Sequence, residues 1–186
     1  YVFIFENRGE QVGVTLHHPH GQIYAYPFIP PVAAIELARH SGGCLQCQLI
    51  RFEITARRRL LINEGGIVAY VPEAARWPYE VHVTTRAHRS ALPDVPPAGR
   101  RTLLATMQRV TRAYDRLFEV PMPYMMAMHQ SPAEASAQAH LHAEFYPILR
   151  DRGKLKYLAG SESGAGIFIN DTLAEESADR LRGLIE

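Results

Sequence analysis

Cysteine is nearly absent: two residues in 186, Cys44 and Cys47. That excludes a disulfide-stapled secreted domain. A lone C-x-x-C suits metal or redox use inside a cell, so a cytoplasmic protein is expected. Charge of one sign is lacking as well. Twenty Lys and Arg stand against nineteen Asp and Glu, for a net charge of +1. No footprint for nucleic acid or an anionic membrane results. No apolar run approaches the ~18 residues of a membrane span, and no signal-peptide core is visible. Low-complexity tracts are missing too.

What is present is ordinary for a globule. The chain is 47% hydrophobic and 21% charged, and its length allows one domain with a real core or one repeat of something larger. It opens at Tyr1 in strand-like YVFIF rather than at methionine, from which a processed, truncated or split product is expected.

Aromatic and β-branched content predicts strands over 1–5 and 12–24, with ENRGE as a turn between them. A short helix is predicted over 32–40 and another over 45–58. The run ARRR at 56–59 reads as a solvated face. GGIVAYVP and YEVHVTT read as paired strands. A long amphipathic helix over 98–118 presents Leu103, Leu104, Met107, Val110, Tyr114 and Leu117. YMMAMHQ and AHLHAEFYP are further strands. RGKLKYLAGSESGAG is a glycine-rich loop, and a terminal helix takes Thr172 as its N-cap. The mixture predicts an α+β domain with an antiparallel sheet and flanking helices.

Two rows of histidines carry the chemistry: H-P-H-G-Q within HHPHGQ at 17–22, and H-L-H-A-E within 139–144. On a strand, residues two apart share a face, so His18, His20 and Gln22 are expected to project together. Pro19 cannot donate to a ladder, which predicts a sheet edge or gap. Neutral imidazole is a competent nucleophile near pH 7, and attack on phosphorus gives a phosphoramidate that can pass the group on. The amide of Gln22 can donate to a phosphoryl oxygen. The shared H-x-H-x-[QE] form indicates internal duplication. His142 stands at the second row's equivalent of His20, without the following glycine and with anionic Glu144 nearby, and is not expected to react.

The segment FENRGEQVGVTLHHPHGQIYA resembles the active-site segment of galactose-1-phosphate uridylyltransferases, a branch of the histidine-triad superfamily. RWPYEV, RAH, HLHAEFYP and KYLAGSESGAGIFIND resemble later family segments in the same order. The resemblance implies a histidine-triad-like fold, with 1–31 as the last strands of an N-terminal repeat and 32–186 as a complete second repeat. It implies that His20 attacks UDP-glucose and passes the uridylyl group to galactose 1-phosphate. Asn7, Gly13, Thr15 and Gln22 match positions that contact the nucleotide phosphates. Lys156 and Glu162 match a segment that contacts the hexose, often across a dimer interface, so a homodimer is expected. An ADP-sugar transferase or nucleotide-sugar phosphorylase on the same scaffold stays open, as does a non-catalytic zinc-stabilised partner subunit.

Zinc is the expected metal. Two thiolates on one turn need two further ligands from elsewhere, and His88 and His140 are the candidates, with His82 competing. The set Cys44, Cys47, His88 and His140 resembles zinc sites of some family members. Other relatives use a glutamate and three histidines; Glu36, His129, His142 and Glu144 match those positions, one His having become Glu. In the family His18 is also a zinc ligand, with partners from an earlier repeat. No cysteine precedes Cys44, so those partners are expected from an N-terminal half in the same or a separate chain.

Overall fold

The computed structural model describes residues 1–186 apart from 16, 17, 19, 40, 41, 134–138 and 186. The expectations for His17 and Pro19 therefore lie outside the described residues. Strands β1 (Val2–Arg8), β2 (Gly21–Ala25), β3 (Leu60–Glu64), β4 (Ile67–Tyr70), β5 (Val81–Thr85), β6 (Tyr124–His129) and β7 (His142–Pro147) form one sheet in the order β2-β1-β6-β7-β5-β4-β3. Every neighbouring pair is antiparallel. Two short strands, β8 (Leu149–Asp151) and β9 (Lys154–Leu155), pair separately. The helices are α1 (Pro31–Arg39), α2 (Leu45–Ala56), α3 (Pro97–Leu117) and α4 (Ala174–Arg182). This is the expected α+β arrangement with an antiparallel sheet.

Strand alternation sorts the sheet into two unlike faces. On one, Met126, Met128, Ala143, Phe145, Val81, Val83, Ile67 and Ala69 meet Leu103, Val110, Ala113, Tyr114 and Leu117 of α3 and Ala178 and Leu181 of α4. This is the core. On the other, Val68 and Tyr70 pack on Ile50 of α2, and β6 and β7 present the alternate residues His129, His142 and Glu144. The face that stabilises the fold and the face that carries polar chemistry are thus interleaved in the same strands. A two-glycine turn joins β3 to β4. Gly65 and Gly66 both have positive φ (56° and 80°), as a hairpin of this handedness requires.

Four local expectations are corrected. The second strand runs only from Gly21, because residues 10–12 close a 3₁₀ turn ended by Gly13 at φ 82°. The edge strand β3 escaped detection: LLINE is too short to show alternation. Leu104 of α3 is 63% exposed; it lies just outside the apolar stripe. Thr172 bonds to Asn170 Oδ1 instead of capping α4, whose N-cap is Leu173.

Candidate active site and metal centre

His20 sits just before β2, and Gln22 one step inside it, opposite Phe5 of β1. The predicted reason for their alignment, a continuous strand, does not hold. A different device aims His20. Its Nδ1 lies 2.9 Å from the carbonyl oxygen of His18. A carbonyl only accepts, so Nδ1 carries the proton and Nε2 keeps its lone pair. The His18 and His20 rings are 5.3 Å apart. His18 and Asn7 line one cleft of about 710 Å³ with Glu6, Arg8, Gly9, Val14 and α3 residues Gln108 and Thr111. Gly13 and Thr15 lie exposed on the loop between β1 and β2.

The second row repeats the device. His142 Nδ1 lies 2.7 Å from the carbonyl of His140. Its Nε2, however, faces the Glu144 carboxylate at 3.4 Å, where the first row has the neutral amide of Gln22. Glu144 is also 3.3 Å from His82 Nε2 and 3.7 Å from Arg76, and accepts a hydrogen bond from Tyr146. Burial alone would raise its pKa. The charge of His82 and the hydrogen bond and charge of His142 outweigh that and hold it well below the usual carboxylate range. The pKa of His82 is raised in turn, because Glu144 and Glu80 overcome its burial.

Two groups of side chains have the donor sets of metal sites. Cys44, Cys47, His88 and His140 place their ligand atoms within 4.8 Å of one another. Cys44 is the N-cap of α2 and accepts from the Cys47 amide, so the first turn of the helix sets the pair. His140 Nδ1 lies 3.5 and 3.4 Å from the two sulfurs, and His88 Nδ1 lies 3.5 Å from Cys47. His140 Nε2 contacts the Thr85 carbonyl at 2.8 Å, which fixes the tautomer whose Nδ1 lone pair can ligate a cation. Without an ion, burial and the neighbouring Cys44 push the Cys47 thiol up to about 11. Two sulfurs and two imidazoles are the donor set of a closed zinc site. The second group, Glu36, His129, His142 and Glu144, also meets within 4.8 Å. Both ring nitrogens of His129 are buried without a hydrogen-bond partner, although Nδ1 is 3.1 Å from Glu36. The donors fit a harder cation.

Lys156 and Glu162 face each other across 3.3 Å. Glu162 lies in a π turn, Ser161–Ala165, of the glycine-rich loop. The amide of Ile169 most of all, together with that of Ala159 and the Lys156 ammonium, lowers its pKa to about 2.

Sequence comparison decides the family. The pattern of the galactose-1-phosphate uridyl transferase C-terminal domain matches residues 35–186, and that of the N-terminal domain matches residues 1–30. The chain belongs to the galactose-1-phosphate uridylyltransferase family. A curated galactose-1-phosphate uridylyltransferase of Thermotoga maritima is 39% identical over 191 residues, covering 98% of this chain and 59% of the relative. A solved uridylyltransferase structure superposes with a TM-score of 0.93 at 37% identity, covering 99% of this chain and 60% of that one. The chain therefore spans a little over half the length of these galactose-1-phosphate uridylyltransferases. A zinc-bound histidine-triad family protein of Mycobacterium smegmatis shares the fold, with a TM-score of 0.53 at 19% identity over 77% of this chain and 94% of that one. Both histidine rows are legible in the sequence itself as H-x-H-x-[QE]. Arg76 and Tyr146, which touch Glu144, and Glu80, which reaches it through His82, were missed. The available signal was strand geometry: His82 pairs opposite Glu144, and Tyr146 is two residues beyond it on the same face.

Proposed function

We propose that the protein transfers a uridylyl group from UDP-glucose to galactose 1-phosphate through a uridylyl-histidine at His20, in galactose metabolism. The observation that carries this reading is the contact of His20 Nδ1 with the His18 carbonyl. It leaves Nε2 as the only nucleophilic atom of the ring. Nε2 attacks the α-phosphorus, the bond from that phosphorus to the bridging oxygen breaks, and glucose 1-phosphate departs. Nδ1 keeps its proton, and its hydrogen bond to the His18 carbonyl stabilises the imidazolium charge. A phosphate oxygen of galactose 1-phosphate then attacks the same phosphorus, and His20 returns to its neutral form. A sugar phosphate leaves without protonation, so the non-acidic Gln22 suffices; it donates to a phosphoryl oxygen, as do groups at Asn7, Gly13 and Thr15.

In this reading residues 1–31 are the closing strands of a first histidine-triad repeat and 32–186 the second. An N-terminal half, in the same or another chain, completes the nucleotide site. The first metal site is a structural zinc centre of Cys44, Cys47, His88 and His140, since four protein ligands leave no open position. His18 serves a second zinc with ligands from the N-terminal half. Exposed Tyr157, Leu158, Ile167, Ile169 and Leu173 support a homodimer contact, and the reduced cysteine pair suits the cytoplasm.

The test is to incubate the protein, together with its N-terminal half where that is a separate polypeptide, with labelled UDP-glucose or ADP-glucose. Acid-labile label on His20 from UDP-glucose is expected. His20→Asn should remove it and reduce transfer by at least ~1,000-fold. Label from ADP-glucose alone would reassign the nucleotide. Full activity of His20→Asn would overturn the uridylyl-histidine mechanism.

A further inference from the structure

The two histidine rows end on one line across the sheet. Gln22 pairs with Phe5, Phe5 with Ala127, and Ala127 with Glu144. Directly paired residues project from the same face. Gln22 and Glu144 therefore share a face, about 14 Å apart at ~4.8 Å per strand. Between them the line drops to an alanine. Beside that gap lies a cavity of about 330 Å³, a size that suits a small molecule. Met125 and Ala127 of β6 lie between Phe3 of β1 and Tyr146 of β7, and Tyr26 and Trp77 complete an aromatic wall. Charge is matched from within. Among the described residues of the lining, Arg76 is the only lysine or arginine, and Glu144 lies 3.7 Å from it. His129, also in the lining, has Glu36 at 3.1 Å. A phosphate would find no unmatched positive charge there and would meet two carboxylates. An uncharged planar ring meets π faces and apolar side chains, and every nucleobase has a π face of its own.

We infer that this cavity is a second ligand site, separate from the His20 centre, for an uncharged aromatic ring of nucleobase size. Its shape and charge stand on the fold alone. The choice of a nucleobase over other flat rings rests on the nucleotidyl transfer proposed above. The second row keeps the carbonyl-held imidazole of the first but sets the Glu144 carboxylate where the first has the Gln22 amide. Such a site keeps a place for a base and rejects the phosphate attached to it.

The chain has one tryptophan, and it lines the cavity. Its indole N–H resonance, assigned with Trp77→Phe, reports occupancy. The protein, together with its N-terminal half where that is a separate polypeptide, is titrated with uridine, UMP and phenol. A saturable shift of that resonance with uridine is expected, with UMP at least about tenfold weaker because its phosphate faces carboxylates. Val32 lines the cavity and is 44% exposed, so Val32→Phe narrows the space without straining the core. It should weaken uridine by about tenfold or more, and Ala33→Leu should do the same from the buried side. His20→Asn should leave the shift in place. No saturable shift, tighter binding of UMP than of uridine, or loss of the shift in His20→Asn would overturn the second site. Phenol binding as tightly as uridine would overturn the assignment to a nucleobase. If no label reaches His20 from either nucleotide sugar, the transfer reading fails by itself, and the Trp77 titration still decides the cavity.

Discussion

At the scale of single residues, glycine and histidine show how position decides meaning. Gly9 turns the chain out of β1 at φ 102°, and a Cβ there would stand 2.6 Å from Pro123 Cβ and 2.9 Å from Gln11 Oε1. Both the dihedral and the space reject a side chain. Gly9→Ala should therefore cost about 1–3 kcal/mol by urea denaturation. Gly164→Ala, where nothing lies within 4 Å, should stay within about 0.5 kcal/mol. Equal losses would show that the β1 turn yields more readily than its geometry implies. Histidine illustrates the converse. His20 and His142 share a ring orientation, each held by a carbonyl two residues back; what differs beside the ring is the next residue, Gly21 against Ala143, and the last of the row, Gln22 against Glu144. The rows themselves were legible because H-x-H-x-[QE] survives as a string. The device that orients each ring was not, because a main-chain carbonyl leaves no mark in the sequence.

At the scale of elements, the run ARRR shows where pattern reading stops. A triple arginine after a helix reads as a solvated face, and Arg57 and Arg58 are on the surface, yet Arg59 is 5% exposed. The cause is conformational. Arg57 adopts the left-handed region at φ 57° as the C-cap of α2, which reverses the chain and sends Arg59 inward. There it bonds to Glu53, 3% exposed, at 2.7 Å, to Glu175 of α4 at 2.7 Å, and to Glu73 at 3.2 Å. One guanidinium thus joins α2 and α4 at the edge of the sheet. The long helix α3 was legible because its apolar period repeats over several turns, and the strands β4 to β7 because of their apolar, β-branched and aromatic runs. Short β3 and the inward arginine were not, since both depend on contacts made far along the chain. Arg59→Ala would strand the Glu53 carboxylate, and a loss of about 3–5 kcal/mol is expected. Glu73→Ala removes a partner that is 77% exposed and should cost under about 1 kcal/mol. If both variants melt with the wild type, the hub is ornamental.

At the scale of the whole molecule, the cysteine-histidine site ties together segments that the sequence keeps apart. Cys44 and Cys47 open α2, His88 follows β5, and His140 precedes β7, so one bound ion joins a covering helix to the middle of the sheet. An ion that binds only the folded state stabilises it by about 4 kcal/mol at a thousand times its dissociation constant. For a chain of this size that corresponds to a melting temperature about 10 °C higher. Chelation should reverse that gain. Cys44→Ser should melt like the chelated protein and respond no further to chelator. The sign of the pH dependence follows from the ligands. With the Cys47 thiol held near 11 in the absence of metal, its sulfur enters the binding reaction protonated at neutral pH. It must lose that proton to ligate, so affinity rises with pH, and at least about one proton should be released per ion at pH 7. Calorimetry in buffers of different ionisation enthalpy counts those protons directly. A count near zero would mean that the sulfurs do not hold the ion, and the histidine-carboxylate group beside them would be the better candidate for the metal.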